Sequence, residues 1–92
     1  MKKYGVKYHP AVKSEDLPRL SSDIKSRIRK AIEEKVTTAP HEYGLPLKKT
    51  LKGYWKLRVG DYRVVFKVAG DMVTIFCISH RKEIYQKAEK RK

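Results

Sequence analysis

The sequence is poor in the residues that build disulfides and metal sites. It contains one cysteine, Cys77, which has no partner within the chain for a disulfide. Its three histidines, His9, His41 and His80, are about thirty or more residues apart, which is not the spacing of zinc ligands. We therefore expect no internal disulfide, no bound metal and no cofactor.

Long apolar runs are also missing. No stretch approaches the roughly 18 apolar residues that cross a bilayer, and residues 1–5 lack the apolar core of a secretion signal. With a length of 92 residues, the chain is predicted to form one domain over residues 1–92. These features predict a cytoplasmic protein without a membrane partner.

Acidic residues are few compared with basic ones. Lysine and arginine number 23 against 10 aspartates and glutamates, which gives a net charge of +13. Such a surplus attracts polyanions, and nucleic acid is a common one, because lysine and arginine neutralise phosphate whatever the base sequence. An acidic protein or an anionic surface would suit the same composition, so the positions of the cations have to decide between them.

Hydrophobic periodicity predicts helices in the first half of the chain. Alternation over residues 4–8 predicts a short first strand. Pro10 suits the first turn of a helix, which Pro18 then interrupts. Apolar residues next recur every four positions, which predicts a helix from about residue 22 to 37 with one buried stripe. That stripe contains Leu20, Ile24, Ile28, Ile32 and Val36.

The second half of the chain is predicted to consist mainly of strands. Prolines and glycines predict a loop over residues 39–53, and strands follow over residues 54–59, 62–69 and 72–79. Gly60-Asp61 and Gly70-Asp71 separate the strands and suit two-residue hairpin turns. The chain is thus predicted to be α+β: an N-terminal strand, a helical pair and a three-stranded antiparallel meander. Residues 81–92 are compatible with a short helix or a basic tail.

The register of the first hairpin predicts a cationic face. A two-residue turn at Gly60-Asp61 places Arg58 opposite Arg63, and the alternation of side chains puts Lys56 and Lys67 on the same face. Two opposed arginines repel each other, and a phosphate bound between them would explain their placement. An ordinary solvated sheet face is the alternative. Continued through the second turn, the register predicts Cys77 in the core and Val65, Phe76 and Ile78 on the cationic face.

The segment His80-Arg81-Lys82-Glu83-Ile84-Tyr85 is predicted to emerge beside the two arginines. It offers an imidazole, a guanidinium and a phenol. Cleavage of RNA by its own 2′-hydroxyl requires removal of the hydroxyl proton, neutralisation of the phosphorane and protonation of the departing 5′-oxygen. These groups suit that reaction, although they also describe a passive RNA-binding surface.

The strings LRVGDYRV (residues 57–64) and HRKEIY (residues 80–85) resemble the RelE toxins of the RelE/ParE superfamily. The resemblance covers most of the chain and implies the compact RelE fold. It also implies the toxin of a type II toxin–antitoxin pair, with a cognate antitoxin as partner. Toxins of the RelE type cleave mRNA in the A site of the 70S-type ribosome without a metal ion, by attack of the 2′-hydroxyl.

The same resemblance implies a set of site residues. Lys56 is expected to be a base or charge stabiliser, and Tyr54 stands where some members have a second lysine. The segment between Ile78 and Tyr85 is shorter than in the best-known member, which makes His80 an alternative to Arg81 as the acid. The catalytic candidates are Lys56, Arg58, Arg63, His80, Arg81 and Tyr85. Cationic and aromatic character, and not the resemblance, suggests the RNA-binding candidates Lys48, Lys49, Lys52, Tyr54, Lys67 and Lys87, with Lys90, Arg91 and Lys92 of the tail as further anchors. A role in solubility alone is the alternative for each of the loop and tail cations.

Two alternatives remain open on the sequence. ParE-like members of the superfamily share the fold, lack nuclease chemistry and inhibit DNA gyrase, and a non-catalytic RNA-binding module would also be basic. Lys56, Arg63, Arg81 and Tyr85 together favour the nuclease.

Overall fold

The computed structural model describes residues 3–92 and contains one mixed sheet. Its strands are β1 (Gly5–Tyr8), β2 (Leu45–Pro46), β3 (Trp55–Val59), β4 (Tyr62–Ala69) and β5 (Met72–His80). They lie in the order β1-β5-β4-β3-β2, with β1 parallel to β5 and the other neighbours antiparallel. The predicted α+β architecture and the meander are confirmed.

Helical segments cover both faces of the sheet. After β1 come a π-helical turn (Val12–Asp16) and a 3-10 turn (Leu17–Arg19), where Pro18 ends the regular helix. The long helix is α1 (Ser22–Ala31), continued by a π-helical turn (Ile32–Val36). The remaining helices are α2 (Pro40–Tyr43), a 3-10 turn (Lys49–Leu51) and α3 (Ile84–Arg91). Within residues 3–92, no helix has both the length and the apolar character needed to cross a bilayer.

The main core lies between α1 and one face of the sheet. Ser21 caps α1 by accepting a hydrogen bond from the Ile24 amide at 3.2 Å. The predicted stripe faces inward: Ile28, Ile32 and Val36 are almost fully buried against the sheet. The sheet residues that are buried in this core are Leu57, Val64, Phe66, Val73, Ile75 and Ile78.

Glycine turns set the register of the meander. Gly60 and Gly70 have φ of 60° and 62°, values that side chains disfavour and tight hairpin turns require. The pairing of β3 with β4 is the predicted one, with Arg58 opposite Arg63 and Lys56 opposite Val65.

A β-bulge changes the register of β4 and β5, and the prediction for Cys77 and Ile78 is wrong. Phe66 pairs with Ile75, but Val65 pairs with Cys77, so β5 has one extra residue, Phe76, at this point. One extra residue reverses the alternation of every side chain beyond it. Ile78 therefore lies in the main core, and Cys77 lies on the other face.

A second core covers part of the face that the sequence predicted to be open. Val65, Phe76 and Cys77 are buried there by Ile84 and Ala88 of α3. The segment predicted to be a loop, residues 39–53, contributes Leu47 and Leu51 to this core, and it contains α2, β2 and a 3-10 turn. Only the part of this face beyond α3 remains available for a site.

Candidate active site

The two opposed arginines lie near the turn between β3 and β4. Arg63 Nη1 donates hydrogen bonds to the carbonyl oxygens of Gly60 at 3.0 Å and Tyr62 at 2.9 Å, which holds its guanidinium at the turn. Arg58 is exposed on the neighbouring strand. Within residues 3–92, both ion pairs are made by Asp16, so no carboxylate neutralises either arginine. The pair keeps its full positive charge for an anionic ligand.

Lys56 and Tyr85 meet beside this pair. The Lys56 Nζ donates a hydrogen bond to the Tyr85 Oη at 2.5 Å and lies 5.2 Å from the centre of its ring. Lys56 comes from β3 and Tyr85 from α3, so the contact exists only while α3 lies on the sheet. Because an ammonium group has no acceptor, the phenol oxygen accepts, and its own proton remains available to a ligand.

Arg81 is held at the same end of the sheet. Its amide donates to the Asp61 carbonyl oxygen at 2.8 Å, which extends the β4–β5 ladder to the turn after β3. The bulge pairs Arg63 with Ser79, and Arg81 is an exposed turn residue directly after the end of β5. Lys56, Arg58 and Arg63 thus lie on one face of the β3–β4 hairpin, Tyr85 contacts Lys56, and Arg81 follows β5 at the arginine end of the sheet.

His80 does not join this group. It pairs with Tyr62, and the two rings contact edge to face with their centres 5.6 Å apart. Tyr62 packs against the main core, so the imidazole lies on the face of the sheet opposite the arginines. Its Nδ1 accepts a hydrogen bond from the Lys82 amide at 3.2 Å. The bulge is the physical reason, because it moves His80 to the other face together with Ile78.

The predicted RNA-binding residues separate into three groups. Tyr54 and Lys67 lie together, with the Lys67 Nζ 5.3 Å from the centre of the Tyr54 ring, which itself packs on Phe76. Lys87 instead pairs with Asp16 at 2.8 Å, so it is not a free anchor. The remaining three, Lys48, Lys49 and Lys52, are exposed around the 3-10 turn.

The sequence interpretation missed Asp16 and misassigned Arg91. Asp16 is 1% exposed and forms a bidentate hydrogen-bonded pair with Arg91, at 2.7 and 3.0 Å. Burial raises the pKa of this carboxyl, but hydrogen bonds from Arg91, Lys87 and the Ile78 amide outweigh that effect, so its pKa lies below the ordinary value. The spacing of Val12 and Asp16 was the available signal, since residues four apart share one helix face.

Cys77 is a core residue and not a nucleophile. Burial, with a contribution from the charge of Asp16, raises the pKa of its thiol to about 11. The reactive form of cysteine is the thiolate, which this environment suppresses. Within residues 3–92, no three His, Cys, Asp or Glu side chains are grouped as metal ligands would be.

The fold and the motifs match a known class of toxins. The family model described as the ParE toxin of the type II toxin–antitoxin system parDE matches residues 6–85. The chain belongs to the RelE/ParE superfamily of type II toxins. Among its relatives, Toxin RelE3 of Methanocaldococcus jannaschii is 36% identical over 74 residues, which cover 76% of this chain and 83% of that protein.

Solved structures agree with this assignment. The toxin–antitoxin complex RelBE2 of Mycobacterium tuberculosis contains a chain of TM-score 0.80 and 25% identity; the match covers 86% of this chain and 99% of that one. A chain of the RelB–RelE complex of Methanococcus jannaschii has TM-score 0.66 and 27% identity, covering 87% and 95%. A free mutant of E. coli RelE, with TM-score 0.72 over 97% of both chains, is 22% identical and supports the fold. The predicted family and fold are confirmed.

Proposed function

We propose that this toxin is an endoribonuclease that cleaves mRNA in the A site of the ribosome. The observation that carries the proposal is the Lys56–Tyr85 hydrogen bond of 2.5 Å, next to two opposed arginines that no carboxylate of residues 3–92 neutralises. A phosphodiester placed between these groups would meet a proton-transfer pair on one side and fixed positive charge on the other.

The reaction is an internal phosphoryl transfer. The 2′-oxygen of the RNA bonds to phosphorus as its proton leaves, and the bond from phosphorus to the 5′-oxygen breaks as that oxygen gains a proton. The products are a 2′,3′-cyclic phosphate and a 5′-hydroxyl. No atom is oxidised or reduced, so the protein has to move protons and to stabilise the charge of the phosphorane.

The residues divide these tasks by their chemistry. Arg58 and Arg63 hold the phosphate, since planar guanidinium groups match its oxygens. Lys56 stabilises charge as the ammonium group or, as the free amine, takes the 2′-hydroxyl proton. Tyr85 gives its phenol proton to the departing 5′-oxygen or stacks on a base. Arg81 stabilises the departing oxygen; His80 has no part in this scheme, because it lies on the other face of the sheet.

The partners follow from the charge and from the relatives. Tyr54 with Lys67 offers a stacking surface beside a cation. Lys48, Lys49 and Lys52 are exposed and add contacts to phosphate of ribosomal RNA. Because the M. tuberculosis and M. jannaschii structures are toxin–antitoxin complexes, a cognate antitoxin is the expected protein partner here.

The test is a single-turnover assay with purified toxin, ribosomes and a defined mRNA, with and without EDTA. We expect cleavage products that end in a cyclic phosphate and are insensitive to the chelator. Lys56→Ala and Tyr85→Phe should each lower the rate by at least about 100-fold, the effect typical of removing a transition-state contact, with much smaller losses in ribosome binding.

Lys13→Ala provides the matched control, since Lys13 is an exposed lysine of the turn Val12–Asp16 and lines a cleft beside Ile28, on the opposite face of the sheet. Its rate should equal that of the wild type. Equal losses of rate and of binding in Lys56→Ala would reduce Lys56 to a phosphate anchor. Intact mRNA in all reactions would overturn the nuclease proposal.

Inhibition of DNA gyrase is the second candidate, because the matching family model is that of ParE toxins. A gyrase inhibitor would block supercoiling and leave mRNA intact, whereas the nuclease would do the reverse. RNA binding without either activity would indicate the non-catalytic module.

A further inference from the structure

Asp16 is a buried carboxylate that joins three parts of the fold. It ends the π-helical turn Val12–Asp16, and its side chain is fully enclosed. The Ile78 amide of β5 donates to its Oδ2 at 2.8 Å, at a place where β1 no longer pairs with β5. Asp16 thus satisfies an amide of β5 beyond the end of the neighbouring strand.

The other partners of Asp16 come from α3. Lys87 approaches its Oδ1 at 2.8 Å, and Arg91 binds both of its oxygens. Arg91 Nη1 also donates to the Phe76 carbonyl oxygen at 3.1 Å, at the bulge of β5. The carboxylate, two cations and the bulge form one connected group that fixes the C-terminal half of α3.

The apolar contacts of α3 are few. Ile84 and Ala88 are its buried residues, and the helix has eight residues, which is too short to be stable in isolation. In the same C-terminal half, Glu89 and Lys92 make polar contacts with Thr50 of the 3-10 turn, but these are exposed. The buried group around Asp16 is therefore the main polar attachment of α3 to the sheet.

Tyr85 lies on the same helix, one residue after Ile84, and contacts Lys56. Whatever holds α3 on the sheet also holds Tyr85 beside Lys56. We infer that Asp16 is a positioning residue of the active site: through Arg91 and Lys87 it fixes α3 and so places the Tyr85 hydroxyl at the Lys56 ammonium. The kinetic part of this inference rests on the proposed nuclease activity, whereas the structural part does not.

The structural test uses Asp16→Asn, which keeps the size of the side chain and removes its charge. We expect amides of residues 87–91 to exchange with solvent at least about tenfold faster, because removing one partner of a buried ion pair is strongly destabilising. Protection in β4 should persist, and the side-chain nitrogen resonance of Lys56 should move to its value in Tyr85→Phe. Asp71→Asn, which makes the same substitution at an exposed aspartate of the β4–β5 turn, is the matched control and should change neither signal.

Unchanged protection of α3 in Asp16→Asn would overturn the inference. If that variant does not fold, Arg91→Met serves in its place, because it removes the guanidinium and leaves Asp16 with Lys87 and the Ile78 amide. Loss of protection throughout the sheet in both variants would show that Asp16 supports the whole core and not α3 in particular, and would also overturn it.

The kinetic test is a double-mutant cycle on single-turnover cleavage. If Asp16 acts through Tyr85, Asp16→Asn should lower the wild-type rate by at least about tenfold and have little further effect in Tyr85→Phe. Full additivity would contradict the inference. If the wild type cleaves no mRNA, the proposed function fails, and the exchange and resonance measurements still decide the role of Asp16.

Discussion

At the scale of single residues, Arg58 and Arg63 carry the clearest conflict between stability and function. They are directly opposed on neighbouring strands, and no carboxylate of the described chain neutralises them. Like charges in this position destabilise a sheet. Arg63 has hydrogen bonds to carbonyl oxygens of the turn, whereas Arg58 has the exposed position. Substitution of Arg58 is therefore the best way to measure the effect of the repulsion on stability and on activity.

We predict that Arg58→Gln raises the free energy of unfolding by about 0.2–1 kcal/mol, the range for a cross-strand pair. The same variant should lower single-turnover cleavage by at least about 100-fold, because the phosphorane loses a charged donor. Urea unfolding and the cleavage assay measure the two effects. Arg29→Gln, an exposed arginine of α1, should alter neither. A less stable Arg58→Gln variant, or one with normal cleavage, would contradict this account of the pair.

At the scale of secondary-structure elements, α3 determines which part of the cationic face is free to bind a ligand. It buries Val65, Phe76 and Cys77, and it brings Tyr85 to Lys56. The group around Asp16 also gives the attachment of α3 a dependence on pH. Charged and titratable groups that surround this carboxylate, or line the cleft beside it, are Glu15, Arg19, Tyr62, Cys77, His80, Glu83, Lys87 and Arg91.

We predict that α3 detaches in acid before the sheet unfolds. Because the pKa of Asp16 is lower in the folded protein, its stabilising contribution is complete above the ordinary value of 3.8 and is lost as the pH falls through the folded value. Protection factors of residues 87–91 should be constant from neutral pH to about 5 and decrease below about 4. Asp16→Asn should have low protection at every pH, and Asp71→Asn should follow the wild type. If Asp16→Asn loses the protection of residues 87–91 in acid as the wild type does, a group other than Asp16 causes the transition.

Periodicity predicted the elements whose residues obey one repeat without interruption. The helix stripe from Leu20 to Val36 and the β3–β4 register follow from local spacing and a glycine turn. The bulge at Phe76 leaves no such trace, because its neighbours on both sides are apolar. From that single residue follow the errors at Cys77, Ile78 and His80. The resemblance supplied Lys56 and Tyr85, whereas their contact required the position of α3, which no local pattern contains.

At the scale of the whole molecule, the net charge is +13. In the described chain, ion pairs engage Lys87 and Arg91, and the other lysines and arginines form none. Repulsion among them opposes the compact state, and a polyanion relieves it. The cations are not equivalent, however. Lys48, Lys49 and Lys52 lie in or beside the 3-10 turn that packs on the second core, whereas Lys13, Lys25 and Arg29 line a cleft on the opposite face.

This distribution predicts that the salt dependence of ribosome binding comes mainly from the lysines on one face of the molecule. If RNA approaches the cationic face, replacing Lys48, Lys49 and Lys52 together by Gln should make the slope of log K against log salt shallower by about two to three, since each phosphate contact contributes about 0.7–0.9. The cleavage rate at saturating ribosome should stay unchanged, because these lysines lie outside the Lys56–Tyr85 group. Replacing Lys13, Lys25 and Arg29 by Gln removes the same charge from the opposite face and should leave the slope nearly as in the wild type. Equal changes in the two triple variants would mean that the toxin binds RNA through net charge alone and that the cationic face does not orient it.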